Sequence, residues 1–135
     1  MIVLDTSVLS AAFRRRKPTE PEPAAVTAVR RMVSEDWPLS IPGVVLQELL
    51  SGVRLREQFR KLESLTAGFP LLLAARREHV LAARISNTCR RTGVSVSTVD
   101  CLIAAQTITA AGRLFTLDKD FEKIAAHTDL KLLAV

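Results

Sequence analysis

Three observations predict an α/β fold built around a mainly parallel sheet. Short apolar segments without polar alternation recur along the chain, as in strands covered on both faces. Stretches of helical spacing separate them, so strand and helix alternate. Two of the strands run into a hydroxyl and a carboxylate just ahead of a helix, the edge at which such sheets gather ligands. With 135 residues, 48% of them hydrophobic, the chain is long enough to bury a core, and residues 1–135 are expected to form a single domain.

The elements follow in order. Ile2, Val3 and Leu4 form the first strand, and Asp5, Thr6 and Ser7 stand at its carboxyl end. Val8, Leu9, Ala12 and Phe13 give a short helix, ended by Arg14-Arg15-Arg16-Lys17 and by Pro18, Pro21 and Pro23. This basic connector is either a solvated loop or a holder of phosphates. Helical spacing resumes over Ala24–Ser34, with Ala25, Val29, Met32 and Val33 inward and Arg30 and Arg31 outward. Leu39-Ser40-Ile41 is a brief strand, and Pro42 suits the first turn of a helix reaching from Val44 to about Arg54. That helix carries Glu48, with Ser51 and Gly52 expected to leave the surface beside its carboxylate bare.

Leu55–Ala67 reads as a basic helix stopped by Gly68, and Phe69–Ala74 as a run containing a buried strand. Arg76–Arg91 is a long amphipathic helix with Leu81, Ile85 and Cys89 inward. Arg77, Arg84 and Arg91 make a positive stripe on its flank, which is either a solvated face or a track for a phosphate backbone. Ser97 and Asp100 have capping-box spacing ahead of the next helix. Arg113–Leu117 is a strand, Asp118–Ile124 a helix, and Leu130–Leu133 a candidate edge strand.

Composition narrows the function. The apolar runs are well short of the roughly twenty residues of a membrane span, and Asp5 interrupts the N-terminal run too early for a signal peptide, so a cytoplasmic protein is expected. Cys89 and Cys101 lack zinc-knuckle or disulfide spacing and are expected to be buried thiols, and His79 to be a surface residue. A formal charge of +5 favours nucleic acid or an acidic protein as partner.

Four acids stand out. Asp5 and Asp118 each follow a strand, Asp100 opens a helix on the same face as Ile103, Ala104 and Thr107, and Glu48 lies on the helix after a short strand. Singly, each reads as well as a helix cap or a solvated charge. In a parallel sheet, however, the strand ends share one edge, so Asp5, Glu48, Asp100 and Asp118 could converge, with Asp120 a rival to Asp118. Clustered carboxylates repel unless a cation offsets them, and hard oxygen donors suit Mg²⁺ or Mn²⁺. A metal held by acids on a basic protein is the equipment of a phosphodiesterase.

These residues also resemble a known family. Leu4-Asp5-Thr6-Ser7-Val8-Leu9, Glu48-Leu-Leu-Ser-Gly52, Asp100-Cys-Leu-Ile-Ala104 and Leu114-Phe-Thr-Leu-Asp118-Lys-Asp-Phe121 are similar, in order, to the four signature segments of PIN-domain nucleases, nearest to VapC-type toxins of bacterial toxin–antitoxin pairs. The resemblance implies a three-layer α/β/α sandwich and a Mg²⁺- or Mn²⁺-dependent endoribonuclease, usually a homodimer, leaving a 3′-hydroxyl and a 5′-phosphate. It implies a cognate antitoxin that covers the site. Asp5, Glu48, Asp100 and Asp118 would be the acids around the metal, with Thr6 and Thr116 as supporting hydroxyls. An inactive binding module and a small-molecule phosphohydrolase are the competing readings. Against the second, position 7 is Ser where that chemistry would need a further Asp.

Overall fold

The computed structural model describes residues 1–14 and 16–134. Its elements are β1 (Ile2–Leu4), α1 (Thr6–Phe13), α2 (Ala24–Ser34), β2 (Leu39–Pro42), α3 (Gly43–Leu50), α4 (Arg56–Thr66), β3 (Leu71–Leu72), α5 (Arg76–Arg91), α6 (Thr98–Thr109), β4 (Arg113–Phe115) and α7 (Asp120–Ala125). Among the described residues the sheet has four strands, ordered β3-β2-β1-β4, and every pairing is parallel. Helices flank this sheet, as the alternating sequence predicts.

The central strand is β1. Ile2, Val3 and Leu4 pair with Arg113, Leu114 and Phe115 on one side, while Ile2 and Val3 pair with Leu39 and Ser40 on the other. All three β1 side chains are buried, which explains why the segment lacks polar alternation. The chain leaves β1 toward β2 on one side and returns as β4 on the other. Strand order therefore reverses at β1, and the crevice at the carboxyl ends of β1 and β4 is a topological switch point. Gly112 permits the close approach of β4, since a Cβ there would stand 3.1 Å from the Met1 carbonyl oxygen and 3.3 Å from Val3 Cγ2.

Several expectations need correction. The run Phe69–Ala74 supplies only the two-residue edge strand β3, and Leu71 and Leu73 are exposed, because apolar composition alone does not reveal that a strand lies at an edge. Helix α3 stops at Leu50: Ser51 is extended and Gly52 takes a positive φ of 85°, so the two residues form a turn after Glu48 instead of a bare helical surface. Pro42 closes β2 and precedes α3, one residue ahead of its expected first-turn place. Val33 is exposed near the end of α2, where Val26 completes the inward face instead. On α5 the inward set is Glu78, Ala82, Ile85 and Cys89, with Leu81 only partly covered. β4 ends at Phe115, and Leu130–Leu133 contributes a single parallel bridge, Leu114 to Leu132.

Other expectations hold. Cys89 and Cys101 are free and buried, His79 is exposed, and no helix among the described residues is long and apolar enough to cross a membrane. The basic connector folds back on its own acids, Arg14 on Glu20 at 3.2 Å and Arg16 on Glu22 at 3.4 Å, with Arg30 also paired to Glu22. Those cations are largely spent locally, which favours the connector reading; Arg15 lies outside the described residues.

Candidate active site

Asp5 occupies the N-cap position of α1, yet its side chain makes no capping hydrogen bond. The carboxylate is instead buried, 4% exposed, and held from two sides. Ser7 Oγ donates to Oδ2 at 2.8 Å, and Thr116 Oγ1 donates to the same oxygen at 2.7 Å. Among the described residues Oδ1 receives no side-chain hydrogen bond. A carboxylate that gives up capping to be fixed by two hydroxyls is oriented for another purpose, which removes the helix-cap reading of Asp5.

The remaining acids are brought to the same edge. β4 lies beside β1, so Thr116 and the turn leading to α7 reach Asp5, and the Asp118 N–H donates to Thr116 Oγ1 at 3.0 Å. Asp118 Oδ1 in turn accepts the Asp120 N–H at 2.9 Å, so this carboxylate does stabilise the start of α7 while its other oxygen stays free of that bond. Thr6 Oγ1 donates to Glu48 Oε1 at 2.9 Å, tying α3 to the start of α1 and bringing in a residue that is otherwise exposed. Ser97 caps α6 by accepting the Asp100 N–H at 3.0 Å, which sets Asp100 in the first turn, half-buried. The capping half of the expected box therefore forms, and the Asp100 carboxylate remains for the site.

The Asp100 carboxyl is pushed up from 3.8 to about 6, first by burial and then by the charges of Asp118, Asp5 and Glu48, against an opposing hydrogen bond from Ser97. Carboxylate oxygens of Asp100, Asp118 and Asp120 can all lie within 4.8 Å of one another. Asp120 thus stands nearer the cluster than a mere rival would, although it also pairs with Lys123 at 3.2 Å. Asp5 and Glu48 lie outside that tightest trio, each with one oxygen committed to a hydroxyl.

The raised Asp100 value fixes a pH dependence. Its folded-state proton affinity exceeds the ordinary one, so the associated stability is present below about pH 4 and is lost as pH rises through about 6. In metal-free protein, Asp100→Asn is expected to stabilise the fold at pH 7.5 by about 1–2 kcal/mol, a figure already reduced for the group's partial solvation. The gain should shrink toward pH 4. Thermal melts of both proteins across that range in chelator check it; a gain independent of pH would contradict the assigned strain.

The donor set fits a hard divalent cation: it is all carboxylate, and the trio within reach of one ion includes no histidine or cysteine. Asp5, Glu48, Asp100, Asp118 and Asp120 and the hydroxyls Thr6 and Thr116 are the residues that the sequence singles out. It gives no role to Ser7, whose contacts with Thr116 and Leu117 are long-range and leave no local sequence signal.

Fold and site together define a class, an α/β protein with clustered carboxylates at the switch point of a parallel sheet. The family model described as PIN domain matches residues 2–127, and the chain belongs to the PIN-domain family. It is 34% identical over 134 residues to Ribonuclease VapC11 of Mycobacterium tuberculosis, with 97% of this chain and 96% of that one covered. Similar solved structures include VapBC-1 from nontypeable Haemophilus influenzae, with TM-score 0.77, 23% identity and 98% and 97% of the two chains covered. VapBC-5 from Mycobacterium tuberculosis, a member of the VapBC family of toxin–antitoxin systems, gives a TM-score of 0.69 at 20% identity, covering 98% and 97%. At those identities the solved structures support the fold.

Proposed function

We propose that this chain is an endoribonuclease toxin of a toxin–antitoxin pair, acting in the cytoplasm, that hydrolyses RNA phosphodiester bonds with Mg²⁺ or Mn²⁺ at Asp5, Glu48, Asp100 and Asp118. The observation that carries this reading is the gathering of carboxylates at one sheet edge of a protein of net charge +5: oxygens of Asp100, Asp118 and Asp120 lie within 4.8 Å of one another, and Asp5 is hydrogen-bonded to Thr116, which also holds the Asp118 N–H. Such a cluster repels a phosphate on its own, so it serves phosphate chemistry only when a cation offsets it. Membership of the PIN-domain family and near-full-length similarity to a VapC ribonuclease point the same way.

When bound, the cation supplies charge neutralisation at the scissile phosphate and a more acidic water. The chain supplies orientation. Ser7 and Thr116 fix Asp5, Thr6 fixes Glu48, and the Ser97 cap places Asp100, so the carboxylates need little rearrangement on binding. Water attacks phosphorus, the bond to the 3′-oxygen breaks, and that oxygen takes up a proton, leaving a 3′-hydroxyl and a 5′-phosphate. No cysteine or histidine is placed to act as a covalent nucleophile among the described site residues. The partner antitoxin is inferred from the toxin–antitoxin name borne by the VapBC-5 structure.

Expression of the chain alone in a bacterial host tests this proposal. Growth should slow, discrete new RNA 5′ ends should accumulate, and Asp100→Asn should remove both effects at equal protein level. Slowed growth that Asp100→Asn leaves unchanged, or expression that alters neither growth nor RNA, would overturn it.

A further inference from the structure

We propose, resting on the nuclease reading above, that Ser7 is a positioning residue that sets metal affinity by locking Asp5 and the turn carrying Asp118 into one unit. The geometry is a double relay. Ser7 Oγ donates to Asp5 Oδ2 and accepts the Leu117 N–H at 2.9 Å; Thr116 Oγ1 donates to the same Oδ2 and accepts the Asp118 N–H. A hydroxyl has one proton. With both protons spent on Oδ2, the 3.3 Å approach of Ser7 to Thr116 is a contact enforced by a shared acceptor and not a bond between them.

Two consequences follow. Oδ2 is fixed by two charge-assisted bonds, each strengthened by a backbone N–H behind it, which leaves Oδ1 as the oxygen of Asp5 open to a cation. The same hydroxyls fix residues 117 and 118 relative to α1, although the two segments are about 110 residues apart in the chain. Thr116 ties the turn to Asp5 through its one bond to Oδ2, and Ser7, from within α1, adds a second and independent tie through the Leu117 N–H. Ser7 is the hydroxyl on the opposite side of the crevice, and it makes the spacing between Asp5 and Asp118 a property of the folded sheet edge.

The test is Mn²⁺ binding to the purified chain, by calorimetry or by loss of the free-ion paramagnetic resonance signal, for wild type, Ser7→Ala and Ser7→Thr. Ser7→Ala is expected to bind Mn²⁺ about 10-fold or more weakly, within the range of outer-shell effects on metal sites. It should also raise the Mn²⁺ concentration needed for RNA cleavage while leaving the KM for RNA unchanged, and Ser7→Thr should restore both. Ser7→Cys, of similar size with only a weak donor, should resemble Ser7→Ala and gives the comparison should that variant not fold. Because the two relays share an acceptor, the combined effect of Ser7→Ala and Thr116→Val should fall short of their sum. Wild-type Mn²⁺ affinity in Ser7→Ala and Ser7→Cys would overturn the inference while leaving the nuclease reading intact. A wild-type chain that neither binds Mn²⁺ nor cuts RNA would overturn both.

Discussion

Asp5→Asn is expected to lower the rate of RNA cleavage on the order of 10²- to 10³-fold, with the folded state preserved. Asn keeps an oxygen for the Ser7 and Thr116 hydroxyls, so the buried position retains its shape and its two hydrogen bonds. What is lost is a buried negative charge of the acidic crevice. Outer-shell partners of metal sites are worth about 10- to 100-fold, and a single electrostatic contact to a reacting centre about 10²- to 10³-fold, which brackets the loss. Initial rates on a defined RNA, beside Asp129→Asn as a surface control and with thermal melts of each protein, measure it. A rate within a few-fold of wild type would remove Asp5 from the site.

Phe121→Ala is expected to destabilise the fold by about 3–5 kcal/mol, the range for truncating a buried aromatic ring. Phe121 is fully buried and anchors α7, a helix of only six residues with Ile124 as its other buried contact. So short a helix has little stability of its own and depends on that packing. Because Asp118 lies in the turn into α7 and Asp120 begins that helix, the same change should loosen the acidic crevice, and activity should fall even where the protein remains mostly folded. Denaturant titration gives the first effect and cleavage below the transition gives the second. A loss under about 1 kcal/mol would mean that α7 is not held by this ring.

The contrast between Asp5 and Ser7 shows what the amino-acid sequence makes legible. Asp5 follows an apolar triad that reads as a covered strand, so its place at the end of that strand is readable from local pattern, and Asp100 stands out by sharing a helix face with Ile103, Ala104 and Thr107. Sheet direction and the alternation of elements come from the same local rules. The function of Ser7 is not local. It depends on Thr116 and Leu117 arriving across β1 and β4, which no spacing between positions 5 and 7 encodes. The same limit explains Phe69–Ala74, where composition suggested a buried strand and the edge position of β3 left Leu71 and Leu73 exposed. Helix ends were similarly elusive: Gly52 stops α3 early through a positive φ that its sequence neighbours did not signal. Asp120, weighed only as a substitute for Asp118, turns out to share space with it and with Asp100.

The most direct test of the central claim is the chemistry of the cut ends. Purified chain incubated with total RNA should give discrete products bearing 5′-phosphate and 3′-hydroxyl termini in Mg²⁺ or Mn²⁺ and none in chelator, as attack by cation-assisted water with loss of the 3′-oxygen requires. Products with 2′,3′-cyclic phosphate ends would show that the RNA's own 2′-hydroxyl is the nucleophile, and either those ends or cleavage that persists in chelator would contradict metal-assisted hydrolysis at the acidic crevice.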